Sequence, residues 1–181
     1  MHHTLPFYGR HQARFLKAYM ALGWLAGVPL LGRWIKSAAN RYAQVTHGAV
    51  ALTADEAEEI VRLSDWVAVG RCTCRETFHN CDAEVEAEIV VGFGAEVYSG
   101  VPEQYREVSL TEAVEILKQC RERRLIPMMM QCYGHYYAIC NCCTCCCVPL
   151  RLKNRHGIEY AVIRRSGVVS DFVNQLRNHG D

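Results

Sequence analysis

Several things are missing from this chain, and each removes a class of explanation. Residues 1–54 contain no aspartate or glutamate but carry Arg10, Arg14, Lys17, Arg33, Lys36 and Arg41. The segment is therefore +6 in a chain whose formal net charge is only +1, so the remainder sums to −5. That asymmetry aims the first segment at something anionic. No apolar run is followed by a small-residue cleavage site, so no secretory signal is visible. The longest uncharged apolar stretch, Ala18–Gly32, has 15 residues, short of the roughly 20 that a membrane-spanning helix needs. No phosphate loop, nucleophile–base pair or paired-carboxylate site stands out. With a net charge near zero, no nucleic acid is expected as a partner.

What is present is cysteine. Eleven occur among 181 residues, and six of the eight positions from Cys140 to Cys147 are cysteine. Packing does not call for this, because a buried cysteine is a small hydrophobe that Val or Ala could replace. Adjacent cysteines cannot easily reach disulfide geometry with each other. With no signal peptide, a reducing cytoplasmic compartment is expected, where cysteine clusters read as metal or redox sites. Thiolates at this density repel one another unless a cation sits among them, and the economical explanation is several iron atoms. In an extended segment, Cys140 and Cys142 would face one side, and Cys143, Cys145 and Cys147 the other.

Along the chain, residues 10–45 read as helical in one or two pieces, broken near Pro29 and its flanking Gly27 and Gly32. The segment reads as a helical hairpin packed on the rest of the protein or on a partner. The alternative is an interfacial anchor, with Trp24 and Trp34 flanked by cations suited to anionic headgroups. Thr53 and Glu56 form a capping box opening a helix to about Leu63, and Trp66–Gly70 reads as a buried strand leading into Cys72-Thr73-Cys74. Ile89–Phe93 reads as another strand.

Ser109 and Glu112 form a second capping box, whose helix carries Cys120 on its apolar face, followed by strands at Met128–Gln131 and Tyr136–Ile139. Glu56-Ala57 matches Glu112-Ala113, Val67–Val69 resembles Tyr137–Ile139, and Cys72-Thr73-Cys74 matches Cys143-Thr144-Cys145. Three matches in one order indicate an internal duplication. In the tail, Val148–Lys153 and Glu159–Arg164 read as strands about a turn, and residues 166–181 as a strand or short helix.

The expected fold is α+β. An internally duplicated helix–strand–cysteine-loop unit over 51–181 holds two iron–sulfur clusters, and a basic, apolar N-terminal helical segment over 1–50 precedes it. Setting Cys120 aside as core leaves ten candidate ligands: Cys72, Cys74, Cys81, Cys132, Cys140, Cys142, Cys143, Cys145, Cys146 and Cys147. Two cubane clusters need eight thiolates, so the surplus leaves room for one larger, linked or non-cubane cluster. Zinc competes, but CxC pairs and adjacent cysteines are poor zinc-knuckle spacing. Cys72, Cys74 and Cys81 supply three ligands to a first cluster, and the fourth is expected from Cys132 or the 140–147 run. Arg71 and Arg75 bracket the CxC, where they either tune a cluster or simply face solvent. Tyr133, His135, Tyr136 and Tyr137 read as core or shielding residues.

Cys72-x-Cys74-Arg75, then Cys81, a Ser/Thr-x-x-Glu-Ala helix start, and Ile139-Cys140-Asn141-Cys142-Cys143-Thr144-Cys145-Cys146 resemble a poorly characterised 4Fe–4S ferredoxin-like family of anaerobic bacteria and archaea. The resemblance covers roughly residues 66–150. It implies two 4Fe–4S clusters and a redox role. The family pattern has a further cysteine near position 87, where this chain has Ala87 and offers Cys132 instead. The expectation is thus a cytoplasmic electron carrier, membrane-associated or not, serving a partner redox enzyme. The alternative is a redox enzyme or subunit that uses an atypical cluster to reduce a small substrate.

Overall fold

The computed structural model describes residues 4–83, 85–92, 94 and 102–178. The chain opens with two helices, α1 (Thr4–Leu25) and α2 (Gly32–Val45). The break falls over residues 26–31, as Pro29 and its glycines require. Gly32 is needed there, since a Cβ would collide with the Ala26 carbonyl oxygen. The hairpin lies on the body of the protein, with α2 touching the first strand.

The body is a seven-stranded sheet: β1 (His47–Ala51), β2 (Val67–Arg71), β3 (Glu86–Val91), β4 (Tyr105–Glu107), β5 (Ile126–Cys132), β6 (His135–Cys142) and β7 (Val162–Ile163). Their order is β4-β2-β3-β6-β5-β1-β7, which puts β6 at the centre. Every pairing is antiparallel except β1 with β7. Strand β1 spans positions 47–51, so the first segment feeds straight into the sheet.

Side-chain alternation divides the sheet into two faces. Val67, Val69, Ile89, Val91, Met129 and Ile139 point to one face, under α3 (Ala54–Arg62), α5 (Leu110–Glu122) and α7 (Val168–Arg177), which contribute Ile60, Val61, Leu117 and Phe172 to the main core. Ala68, Val90 and Ala138 point to the other face, and Met128 and Cys142 line its continuation toward α6 (Val148–His156), which supplies Leu150. Tyr137 is an extra residue in β6: Met130 pairs with Ala138 while Gln131 pairs with Tyr136. This bulge lets Tyr136 join the main core while Tyr137 and Ala138 share the opposite face.

Both expected helix starts are present. Thr53 and Glu56 complete the capping box, with Glu56 N–H donating to Thr53 Oγ1 at 3.1 Å and Thr53 N–H donating to Glu56 Oε2 at 2.7 Å. Ser109 makes only the first half, because Glu112 Oε1 accepts from Arg106 Nη1 at 2.6 Å.

The tail departs from expectation. Residues 148–153 form helix α6 rather than a strand, opened by Cys147 as N-cap and Pro149 in its first turn. Gly157, at φ 68°, ends it as the left-handed cap, beside the cations Lys153 and Arg155. Of the second tail strand only Val162–Ile163 is extended, whereas Val168–Arg177 takes the helical form of the two expected for residues 166–181.

Candidate metal centre

Strand β2 delivers the chain to Cys72, the N-cap of the short helix α4 (Thr73–Phe78). The first cysteine pair thus opens a helix, where a loop was expected. The helix stops at His79 in the left-handed conformation, φ 47°. Asn80 then ties the chain to the cysteine run. Its backbone N–H donates to Cys146 Sγ at 3.3 Å, and its Nδ2 donates to the Cys145 carbonyl at 2.9 Å. Cys81 is thereby laid over the turn formed by residues 143–147, which a 3.2 Å bond from Cys147 N–H to the Cys143 carbonyl closes.

The result is a compact group. The sulfurs of Cys81, Cys143, Cys145 and Cys146 all lie within 4.8 Å of one another. Cys81 Sγ is 3.7 Å from both Cys143 Sγ and Cys146 Sγ. Four thiolates around one ion at a metal–sulfur distance of about 2.3 Å sit about 3.8 Å apart. This cysteine group is therefore placed to hold a metal. Burial pushes the Cys143 thiol up, but hydrogen bonds from Cys145, the Cys146 backbone, Arg75 and Cys81 outweigh it and hold the thiol near 6. Cys145 is pushed up to about 12 by burial and its hydrogen bonds to Cys81 and Cys143. A thiol held low beside one held high is the arrangement that a cation converts, with proton release, into a ligand set.

A second, wider-set group lies deeper. Cys72 interacts with Cys74, Cys74 with Cys147, Cys147 with Cys142, and Cys142 with Cys140. All five line a cavity of about 680 Å³ between the sheet and helices α1, α2 and α6. Cys140 and Cys142 share one face of β6, as alternation requires. Cys143, Cys145 and Cys147 were expected to face together, but the strand ends at Cys142. The turn that follows sends Cys147 to the cavity group instead. Hydrogen bonds from Cys142 and Cys74 hold Cys147 near 6 despite its burial. Cys72 is pushed well up by its hydrogen bond to Cys74 and by burial.

Arg75 lies between the groups. It is 2 % exposed, and its Nη2 donates to the Asn141 carbonyl at 2.6 Å. Burial opposes its charge, but Cys72, Cys143 and Cys142 hold it protonated, and a hydrogen bond joins it to Cys143. Asn141 is fixed in turn by a 3.0 Å bond from its Nδ2 to the Ala87 carbonyl. Arg71, by contrast, is exposed and paired with Glu76. The two arginines that looked equivalent in sequence differ completely in setting.

The remaining candidates separate cleanly. Cys72 and Cys74 do not join Cys81; they go to the other sulfur group. Cys132 belongs to neither set. It lies four positions along β5 from Met128, the partner of Cys140, which is about 13 Å of strand. Its Sγ is 3.6 Å from His47 Nδ1. Burial raises Cys132 to about 11 and lowers His47, so the pair is neutral and not an activated nucleophile. Cys120 is core, packed with Ala87 and Leu125. Tyr136 is core, bonded to Arg165, and Tyr137 lines the cavity. Asn80 and Glu88 fall in no motif, and Asn141 stands inside one only as a spacer between cysteines. Glu88 is nevertheless buried on the cavity face, and its alternation with Ile89 was a legible signal.

Compared with known proteins, no family model, no curated protein and no solved structure matches this chain.

Proposed function

We propose that the protein is an iron–sulfur electron carrier that passes electrons through two 4Fe–4S centres to or from a partner redox enzyme. The observation that carries this reading is the partition of nine cysteines into two groups bridged by one buried cation, Arg75. Each group offers at least the four thiolates that a cubane takes, and the compact group, whose sulfurs are spaced at 3.7 Å as around a single ion, has to open to wrap one. Cys81, Cys143 and Cys145 are half-buried and Thr144 is exposed, so the compact group reaches the surface where a partner can approach. The cavity group sits beneath the hairpin. Iron–sulfur centres ligated entirely by cysteine supply reversible one-electron transfer without an open iron position. The chain's own residues fix the potential and the position: Arg75 favours the more negative, reduced state, and Asn80 holds the outer cysteine turn. The capped helices α3 and α5 lie side by side on one face, in keeping with a duplicated plan, although two strands rather than one follow α5.

A second reading has its own support. The cavity group has five thiols and open space beside them, which suits an atypical cluster reducing a small substrate. Anaerobic preparation followed by iron and sulfide analysis, electron paramagnetic resonance and redox titration tests both. Two cubane-type signals support the carrier. An atypical spectrum that changes when small ligands are added favours the enzyme. Stoichiometric zinc without iron, for which the 3.7 Å sulfur spacing of the compact group is well suited, refutes both.

A further inference from the structure

We propose that the α1–α2 hairpin docks tip-first on an anionic lipid surface. This stands on observations separate from the sulfur groups. The tip exposes large apolar side chains that the fold does not use. Trp24 and Trp34 are each 70 % exposed, Leu31 61 % and Leu30 94 %. Leu25 adds a further partly exposed side chain at the end of α1. Two tryptophans and three leucines exposed about one turn crowd apolar surface at one end of the hairpin, of the kind that marks an interaction site rather than scattered surface hydrophobes.

Leu30 makes the argument sharper. Its φ is 71°, in the left-handed region that side chains other than glycine's rarely adopt. Leucine there strains the backbone and returns no burial within the fold. Glycine would fit the turn better on both counts. A leucine held out in this way gains free energy only when something apolar covers it.

Charge selects the occupant. Nothing in residues 1–54 is acidic. Arg33 is exposed at the tip, with its guanidinium 5.9 Å from the Trp34 ring. The C-terminal end of α6, bearing Lys153 and Arg155, abuts the hairpin: a Cβ at Gly23 would meet the His156 ring, and Lys36 Nζ lies close to Gly157. Glu159 offsets part of this charge, 3.8 Å from Lys153. A tryptophan-bearing apolar tip ringed by Arg and Lys matches the interface of an anionic bilayer, with rings at headgroup depth and cations on phosphates. No helix among the described residues is long and apolar enough to cross a membrane. The contact is therefore at the surface, with the sheet domain held outside.

The test uses the full chain and vesicles of phosphatidylcholine, alone or with phosphatidylglycerol added. The expected result is co-sedimentation with the anionic vesicles at low salt, weakening as salt rises. It should come with a blue shift in fluorescence as Trp24 and Trp34 leave water while Trp66 stays in the sheet domain. Leu30→Gly should keep or raise the melting temperature yet weaken vesicle binding, which separates docking from folding. Leu30→Glu with Leu31→Glu should lower partitioning by about tenfold or more. The proposal is overturned by the absence of binding to anionic vesicles at low salt, or by Leu30→Gly and the double variant binding like the parent. It is also overturned if those variants abolish a concentration-dependent dimer while vesicle binding is absent, since the tip would then contact a second copy.

Discussion

Replacing Arg75 by methionine removes the one buried cation between the two sulfur groups while keeping a long side chain. Its charge acts on Cys72, Cys143 and Cys142 at once. For unit charges about 4 Å apart at an effective dielectric constant near 20, the interaction is about 4 kcal/mol. A one-electron couple shifts about 59 mV for each tenfold change in equilibrium constant, so the full interaction corresponds to roughly 170 mV. Because this charge is shared between two groups and partly spent on Asn141, a fall of about 100 mV in each centre is expected. The direction is downward, because a cation favours the reduced, more negative state. Arg75→Lys keeps the charge and should keep most of the potential. Both variants disturb the 2.6 Å bond to the Asn141 carbonyl, and a buried carbonyl left without its donor costs about 1–3 kcal/mol. A lower melting temperature alone therefore decides nothing. The deciding assay is redox titration of iron-loaded protein followed by electron paramagnetic resonance, with iron content measured in parallel. The reasoning fails if iron is retained and both potentials stay within about 20 mV of the parent, or if only one centre moves.

The partition and the caps make further outcomes testable. Cys81→Ala should lose the metal of the compact group while the cavity group keeps its own, whereas Cys132→Ala should leave metal content unchanged, as read by iron per chain. Thr53→Ala should cost about 1 kcal/mol in chemical denaturation. The Thr53 backbone hydrogen bond, helped by Arg164, holds the Glu56 carboxyl below the usual carboxylate range. Its contribution is therefore present above the ordinary carboxylate pKa and lost as pH falls through the lowered folded value. Glu56→Gln should flatten that acid limb of the stability profile.

Local signals are legible in the sequence, and non-local ones are not. The hairpin break at Pro29, the Thr53 cap and the cores of β2, β5 and β6 all follow from short-range chemistry that the residues carry themselves. Cys120 sits on its helix face for the same reason. The tail misled because Val148–Lys153 alternates like a strand, while the deciding features were its ends, Pro149 and Gly157. Strand β1 went unread because His47–Ala51 owes its extension to pairing with β5 and β7, which no window around it contains. The ten candidate ligands stood out by density, but density says nothing about partition. Proximity in the chain groups Cys72 and Cys74 with Cys81, yet α4 and the left-handed His79 turn the chain between them. Arg71 and Arg75 looked alike for the same reason. Four residues on, at α4 rather than on the edge of β2, the second arginine faces inward.

The separation of the ligands along the chain has a consequence for biosynthesis. Cys81 lies 62 residues before Cys143 and 65 before Cys146, and Cys72 and Cys74 wait equally for Cys147. At roughly 5–20 residues per second, the early thiols stand alone for several seconds during translation. A chain stopped before residue 140 holds Cys72, Cys74 and Cys81 but can close neither group. Any metal these groups hold can be seated only after the central strand β6 and the turn beyond it have emerged, which would put loading at the end of synthesis. Until then the emerging chain presents bare thiols to whatever oxidant or stray ion reaches them first.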